Sequence, residues 1–144
     1  VIKTGDTYIF NPNTTKKKDL KKHWFADYME TYVIEENEQI LGTYIIKPNQ
    51  IDLENHIANC SYMVKPNLRG KGIGKRLCEH SIKIARENSF EAIQFNIVVS
   101  TNEGDIKLWG KFGFKIIGIT LNGFKHSQLG LVDTFIMYKN LNKQ

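Results

Sequence analysis

Four cations and three glycines crowd into Lys65-Pro66-Asn67-Leu68-Arg69-Gly70-Lys71-Gly72-Ile73-Gly74-Lys75. Glycine lets the main chain pass close to a ligand and take dihedrals that a Cβ forbids. The apolar spacing that begins at Ile73 predicts a helix over Gly74–Asn88, and the first turn of a helix offers N–H donors and a positive dipole end. These residue types in this order make an anion site, most simply one for phosphate. It is not the dinucleotide fingerprint G-x-G-x-x-G, because Lys75 stands at its third glycine. Nor is it the loop G-x-x-x-x-G-K-[ST], because no glycine lies five positions after Gly70 or Gly72. The competing reading is a turn that needs glycine ahead of a helix with a basic start.

Other residues able to do chemistry are more scattered. His56, Glu54, Glu35, Asp133 and His126 are the candidate bases. His56 opens a strand pattern and reads either as a structural histidine or as a base acting through water. Asp133, Asn59 and Asn96 interrupt apolar strand patterns, and burial would oblige each to find a partner. Neither asparagine can act as a base. Either could hold a substrate amine or carboxylate where strands separate, or make ordinary structural hydrogen bonds. Cys60 and Cys78 fall in a strand and a helix pattern with no base beside them, so they read as reduced, partly buried thiols and poor nucleophiles. Histidines at 23, 56, 80 and 126 show no metal-ligand spacing, and no metal is expected.

Holding these residues falls to an alternation of strands and helices. An apolar-rich piece, Thr7–Phe10, precedes a helix capped by Thr14 or Thr15 and running to about His23, with Leu20, Trp24 and Phe25 as its buried side. Strands are expected over Tyr28–Glu35 and Gln39–Lys47, as a hairpin, and over His56–Val64 and Ala92–Val99. Period two puts Ile57, Asn59, Ser61 and Met63 on one face of the third strand and Ala58, Cys60, Tyr62 and Val64 on the other. Ala92–Val99 is nearly continuous in apolar residues, as a central strand covered on both faces would be. A short helix over Glu103–Phe112 ends at Gly113, followed by a strand over Lys115–Leu121, a loop over Asn122–Gly130 and a last strand over Leu131–Tyr138. The expected fold is a single α/β domain, residues 1–144, around one mixed, mostly antiparallel sheet flanked by helices.

Charge narrows the partners. The net charge of +5 admits nucleic acid, but the basic residues gather at Lys16-Lys17-Lys18 with Lys21 and Lys22, and around the glycines. Zinc-finger spacing and an aromatic RNA-binding signature are both missing, so a small polyanion is the more economical partner. No apolar run approaches the ~18 residues of a membrane span. No signal-peptide pattern opens the chain, and a cytoplasmic protein is expected without membrane or nucleic-acid partners.

The run Arg69–Gly74, R-G-K-G-I-G, resembles the acyl-coenzyme A binding motif [RQ]-x-x-G-x-[GA] of the GNAT acetyltransferase superfamily, matching at Arg69, Gly72 and Gly74. The likeness continues in Asn102–Phe114, which is similar to the family segment N-x-x-A-x-x-L-Y-x-x-x-G-F. Asn102, Leu108, Gly113 and Phe114 match, while Asp105 replaces the alanine and Trp109 the tyrosine. The resemblance covers about Gln39–Tyr138. It is weaker ahead of that, where only Val1–Phe10 is available for the family's opening strand and helix, so either the first strand is missing or the chain begins inside the domain. Within the superfamily, His56–Asn59, Gln94–Asn96, Val99–Asn102 and Gly130–Asp133 look closest to a small-molecule branch that includes enzymes acetylating azetidine-2-carboxylate.

The resemblance implies an N-acetyltransferase using acetyl-coenzyme A, with no metal, to acetylate the amine of a small molecule or amino acid analogue directly in a ternary complex. The alternatives it leaves are a protein or peptide amine as acceptor, with Tyr32, Tyr44 and Asn122–Gly130 as the places for a peptide groove, or a coenzyme A-binding module without catalysis. A homodimer is compatible with all three. By similarity, the main chain of Arg69, Gly70, Lys71, Gly72, Ile73, Gly74 and Lys75 would grip the pyrophosphate. Met63 and Val64 would pair with the pantetheine arm, Asn102 would contact its end, and Trp109 would wall the cofactor or belong to the core. An N–H near Met63 would polarise the thioester carbonyl. The indole of Trp109 cannot deliver the proton that the family's tyrosine supplies, so Tyr62 or Tyr138 would take over, or the thiolate would leave unaided. His56 and Asn59 complete the expected catalytic set, and Asn59, Asn96, His126 and Asp133 the expected acceptor site.

Overall fold

A computed structural model describes residues 28–142. The apolar-rich piece Thr7–Phe10, the expected helix to His23 with Trp24 and Phe25 on its buried side, and the lysine cluster at 16–22 lie outside the described residues.

Six strands and two helices follow in the order β1 (Glu30–Glu36), β2 (Gln39–Pro48), β3 (Ile57–Val64), α1 (Ile73–Glu87), β4 (Ala92–Val99), α2 (Glu103–Lys111), β5 (Lys115–His126) and β6 (Gly130–Asn140). The strands form one sheet in the order β1-β2-β3-β4-β6-β5. Every neighbouring pair is antiparallel except β3–β4, which is parallel because α1 carries the chain back between them. The mixed, mostly antiparallel sheet read from the sequence is therefore the one observed.

Alternation on β3 runs as its pattern predicts. Ala58 and Cys60 enter a core with Ile73, Leu77, Cys78, Ile82 and Ala85 of α1, Ile93 and Phe95 of β4, and Trp109 of α2. Amphipathic spacing makes α1 a cover for this face of the sheet. Gly42 sets how close it can come. A Cβ there would lie 3.0 Å from both Ile73 Cγ2 and Leu77 Cδ1, so glycine in β2 lets the first turn of α1 rest directly on the sheet beside the end of β3.

The chief departure from the sequence reading is β5. It does not stop at Leu121 but runs to His126, and the expected loop at Asn122–Gly130 shrinks to the turn at 127–129. Pairing with β6 is interrupted between Thr120 and Phe124, then resumes. Asn122 has φ 52°, and a Cβ on Gly123 would sit 2.6 Å from Thr134 Oγ1. Asn122-Gly123 is thus a bulge inside a strand, not its end.

Candidate active site

Parallel strands β3 and β4 pair only at Ile57–Ala92 and Ala58–Ile93, although both continue to Val64 and Val99. Beyond Ala58 and Ile93 each turns to its outer neighbour, β3 to β2 and β4 to β6. A wedge-shaped gap opens in the centre of the sheet, towards the ends from which the glycine loop and α2 depart. Opposite the gap, β4 carries its own irregularity: pairing to β6 passes from Phe95–Met137 to Val98–Phe135, leaving Asn96 and Ile97 outside the ladder and exposed.

Register decides which peptide groups face this gap. Lys65 N–H donates to Leu41 O (3.0 Å), and Asn49 N–H to Ile57 O (2.7 Å). In an antiparallel pair the groups of alternate residues point to the same side, so those of Ile57, Asn59, Ser61 and Met63 are directed at β2. Met63, the expected polarising donor, is therefore turned towards Thr43. The peptide groups of Cys60, Tyr62 and Val64 are the ones directed at the gap.

The chain leaves β3 through a single tight turn, Pro66–Leu68, and reaches α1 through two left-handed glycines, Gly70 (φ 79°) and Gly72 (φ 81°). A Cβ on either would meet nothing within 4 Å, so the main chain lies bare at the surface. Lys71 N–H is taken by Leu68 O at 3.3 Å, and the first helical bond runs from Arg76 N–H to Gly72 O. The N–H groups of Gly72, Ile73, Gly74 and Lys75 find no backbone acceptor among the described residues, and no side chain caps the helix. Lys65, Arg69, Lys71 and Lys75 are exposed, and none forms an ion pair with a described carboxylate. Donors, dipole and cations converge as an anion cradle requires. Gly74 differs from the two glycines before it: its missing Cβ would stand 3.2 Å from Leu108 Cδ2, so it seats α1 against α2.

The inner wall of the gap is aromatic. Tyr62 on β3 and Phe95 on β4 meet edge to face at 5.7 Å, and the Trp109 ring packs on both at 4.8 and 5.0 Å, with Phe114 stacked on Phe95 at 4.4 Å. Trp109 is buried and closes the gap from the helix side as part of the core. The Tyr62 hydroxyl lies 2.6 Å from Ser81 Oγ, which itself donates to Cys78 O at 2.8 Å. Its proton therefore points into the protein, and burial holds the phenol well above its usual pKa. Neither ring is placed to act as an acid on a ligand in the gap. Burial likewise pushes the Cys60 and Cys78 thiols up to about 12, where a thiolate nucleophile is not populated near neutral pH.

The remaining expected residues are spread apart. His56 is exposed at the closed end of the strands, where its carbonyl accepts from Glu91 N–H (2.9 Å); the length of β3, ~25 Å at about 3.3 Å per residue, separates it from the glycine loop. His126 Nδ1 accepts from the N–H groups of Gln128 and Leu129 (both 3.1 Å) and so secures the β5–β6 turn. Asp133 Oδ1 accepts from Asn122 N–H (2.9 Å) and pins the β5 bulge. Asn102 caps α2 through Asp105, its Oδ1 receiving Asp105 N–H (3.4 Å) and its Nδ2 donating to Asp105 Oδ2 (2.7 Å). Asn59 Nδ2 donates to Gln94 O (2.9 Å) at the closed end of the gap, just past the last ladder pair, and Asn96 Nδ2 donates to Asn49 Oδ1 (2.7 Å). Gly42 and Asn49 escaped the sequence reading; a glycine inside an apolar strand was the available signal for the first.

A separate groove of about 490 Å³ lies between β1 and α1, lined by Tyr32, Tyr44, Arg76 and His80 among others. Tyr44 is fully buried and bonded to His80 Nδ1 (2.7 Å). The groove is two strands away from the gap. Among the described residues no helix is long and apolar enough to cross a membrane, and no three His, Cys, Asp or Glu side chains gather as a metal site.

Residues 4–114 match the sequence profile of the acetyltransferase (GNAT) family. N-acetyltransferase aca1 of Schizosaccharomyces pombe is 34% identical over 112 residues, 77% of this chain and 54% of the relative; the chain thus spans about half the length of that curated relative. A GCN5-related N-acetyltransferase from Kribbella flavida superposes with a TM-score of 0.89 at 32% identity, covering 96% of this chain and 84% of the other. The ribosomal-protein-S18-alanine N-acetyltransferase of Escherichia coli shares the fold, with a TM-score of 0.78 at 18% identity over 98% of this chain and 84% of its own.

Proposed function

The chain belongs to the acetyltransferase (GNAT) family, and from that premise we propose that it transfers an acetyl group from acetyl-coenzyme A to an amine. The observation that carries the proposal is the parting of β3 from β4 immediately ahead of a bare, basic helix start. In this reading the N–H groups of Gly72, Ile73, Gly74 and Lys75, with Arg69, Lys71 and Lys65 around them, hold the pyrophosphate. Val64, and the peptide edge of β3 before it, align the arm along the gap. Asn102 acts by fixing the first turn of α2. When bound, acetyl-coenzyme A supplies a thioester whose acetyl carbon an amine can attack. In this reading the N–H of Val64, directed at the gap, donates to the developing oxyanion. With Trp109 packed in the core and the Tyr62 hydroxyl bonded to Ser81, neither delivers a proton there; either Tyr138, which lies across from Gln94 in the β4–β6 pair, takes that part or the acidic coenzyme thiol leaves without side-chain help. His56, His126 and Asp133 take no part.

For the acceptor, the fold shared with an enzyme that acetylates a ribosomal-protein alanine supports a peptide or protein amine, and this class is preferred over the small-molecule amine that the sequence motifs suggest. A module that binds coenzyme A without catalysis is the opposing reading, favoured by the absence of a hydroxyl at Trp109.

Calorimetry with acetyl-coenzyme A and coenzyme A tests the cofactor, and thiol release across peptide amines and small amines tests catalysis and acceptor class together. Gly72→Leu should weaken coenzyme A at least tenfold while the fold persists, since its side chain enters open space where the phosphates would lie and the left-handed φ costs about 1–2 kcal/mol. Unchanged affinity in that variant would remove the loop from the site.

A further inference from the structure

The gap has to be held at a fixed depth, and ordinary ladder pairing does not do this, because it ends at Ala58–Ile93. One position further on, Asn59 Nδ2 donates to Gln94 O at 2.9 Å. A side-chain amide thus bridges the strands at the point where the peptide ladder fails. The bridge is braced: Gln94 Nε2 donates to Asn96 Oδ1 (3.1 Å), Asn96 Nδ2 to Asn49 Oδ1 (2.7 Å), and Asn49 N–H to Ile57 O (2.7 Å), two residues before Asn59. The circuit ties β3, β4 and the segment after β2 together on the sheet face opposite α1. Asn96 can join it because the β4 irregularity puts it outside the ladder.

We propose that Asn59 is a positioning residue that sets where β3 and β4 part, and so how far the arm of a coenzyme can enter between them. This rests on the acetyltransferase reading of the gap. The physical argument is one of geometry. The backbone of β3 is already committed to β2 and that of β4 to β6, so both strands are rigid bars. A single 2.9 Å strut at the vertex fixes their separation further out, at Val64 and Val99. Loss of the strut leaves Gln94 O unpaired beside the last ladder pair, and the vertex shifts or frays.

The experiment compares wild type with Asn59→Ala and Asn59→Asp, the latter of the same shape but, ionised at pH 8, with no N–H to give. Two probes are titrated: coenzyme A, and 3′-phosphoadenosine 5′-diphosphate, which carries the phosphates without the arm. The expected result is that both variants lose about tenfold in affinity for coenzyme A and stay within about twofold of wild type for the diphosphate. Equal losses for the two probes would mean a general structural role and overturn the proposal, as would an Asp variant that binds like wild type. A ligand-free readout stands apart from the cofactor reading: amide exchange at the last β3–β4 pair should quicken about tenfold in Asn59→Ala. Unchanged exchange would show that the amide does not hold the strands, whatever the coenzyme does. Failure of wild type to bind coenzyme A, with exchange quickened, would overturn the acetyltransferase reading alone and leave Asn59 as the strut.

Discussion

Cys60 and Cys78 show how far environment overrules residue type. Both thiols are neutral in the fold because burial penalises the thiolate, raising each from an ordinary 9.0 to about 12. A raised folded value means that the folded state holds its proton more tightly than the unfolded chain. The stabilisation is complete below pH 9 and is lost as pH climbs through 12. Melting temperature should thus be level from pH 7 to 8 and fall between 9 and 12, with a shallower fall in Cys60→Ala, as a calorimetric pH series would record. Trp109, fixed by three rings, should cost about 3–5 kcal/mol when cut to alanine, measurable by urea unfolding. At this scale the sequence was readable where a residue broke a pattern: Asn59, Asn96 and Asp133 each interrupt an apolar strand, and each makes a specific hydrogen bond in the fold. His126 and His56 broke nothing. Only the fold shows that the first secures a turn and that the second lies far from the gap.

Elements announced themselves by period, and their irregularities did not. β4 occupies the span its apolar run predicts, Ala92–Val99, and α1 starts one residue before its expected first turn. β5 was cut short because Asn122-Gly123 has the composition of a turn. What distinguishes a bulge from a turn is whether pairing resumes, and that depends on Val132 lying opposite Phe124, a partner distant in the chain. Gly123→Ala should therefore destabilise the β5–β6 arm by about 1–3 kcal/mol, from its 2.6 Å approach to Thr134 Oγ1, and quicken amide exchange there before elsewhere. Gly42→Val should cost a similar amount by lifting α1 off the sheet. Because that turn also carries the anion cradle, this change alone among packing substitutions should weaken coenzyme A as well.

At the level of the whole molecule, the loop motif was legible because it is contiguous, whereas the gap it serves is a relation between strands that no local pattern encodes. The net charge of +5, with four exposed cations around the cradle, gives long-range attraction for a polyanion that salt screens. Coenzyme A affinity should drop about tenfold between about 50 mM and about 500 mM NaCl while the melting temperature hardly moves, a contrast that separates binding electrostatics from fold electrostatics. Gly74 adds a mechanical consequence. It sits in the ligand motif yet faces Leu108, so the phosphate turn and the second helix are geared together. Any bulky partner that pushes on that helix from outside will tilt the turn, and grip on the nucleotide end will change without a single contact to it being touched.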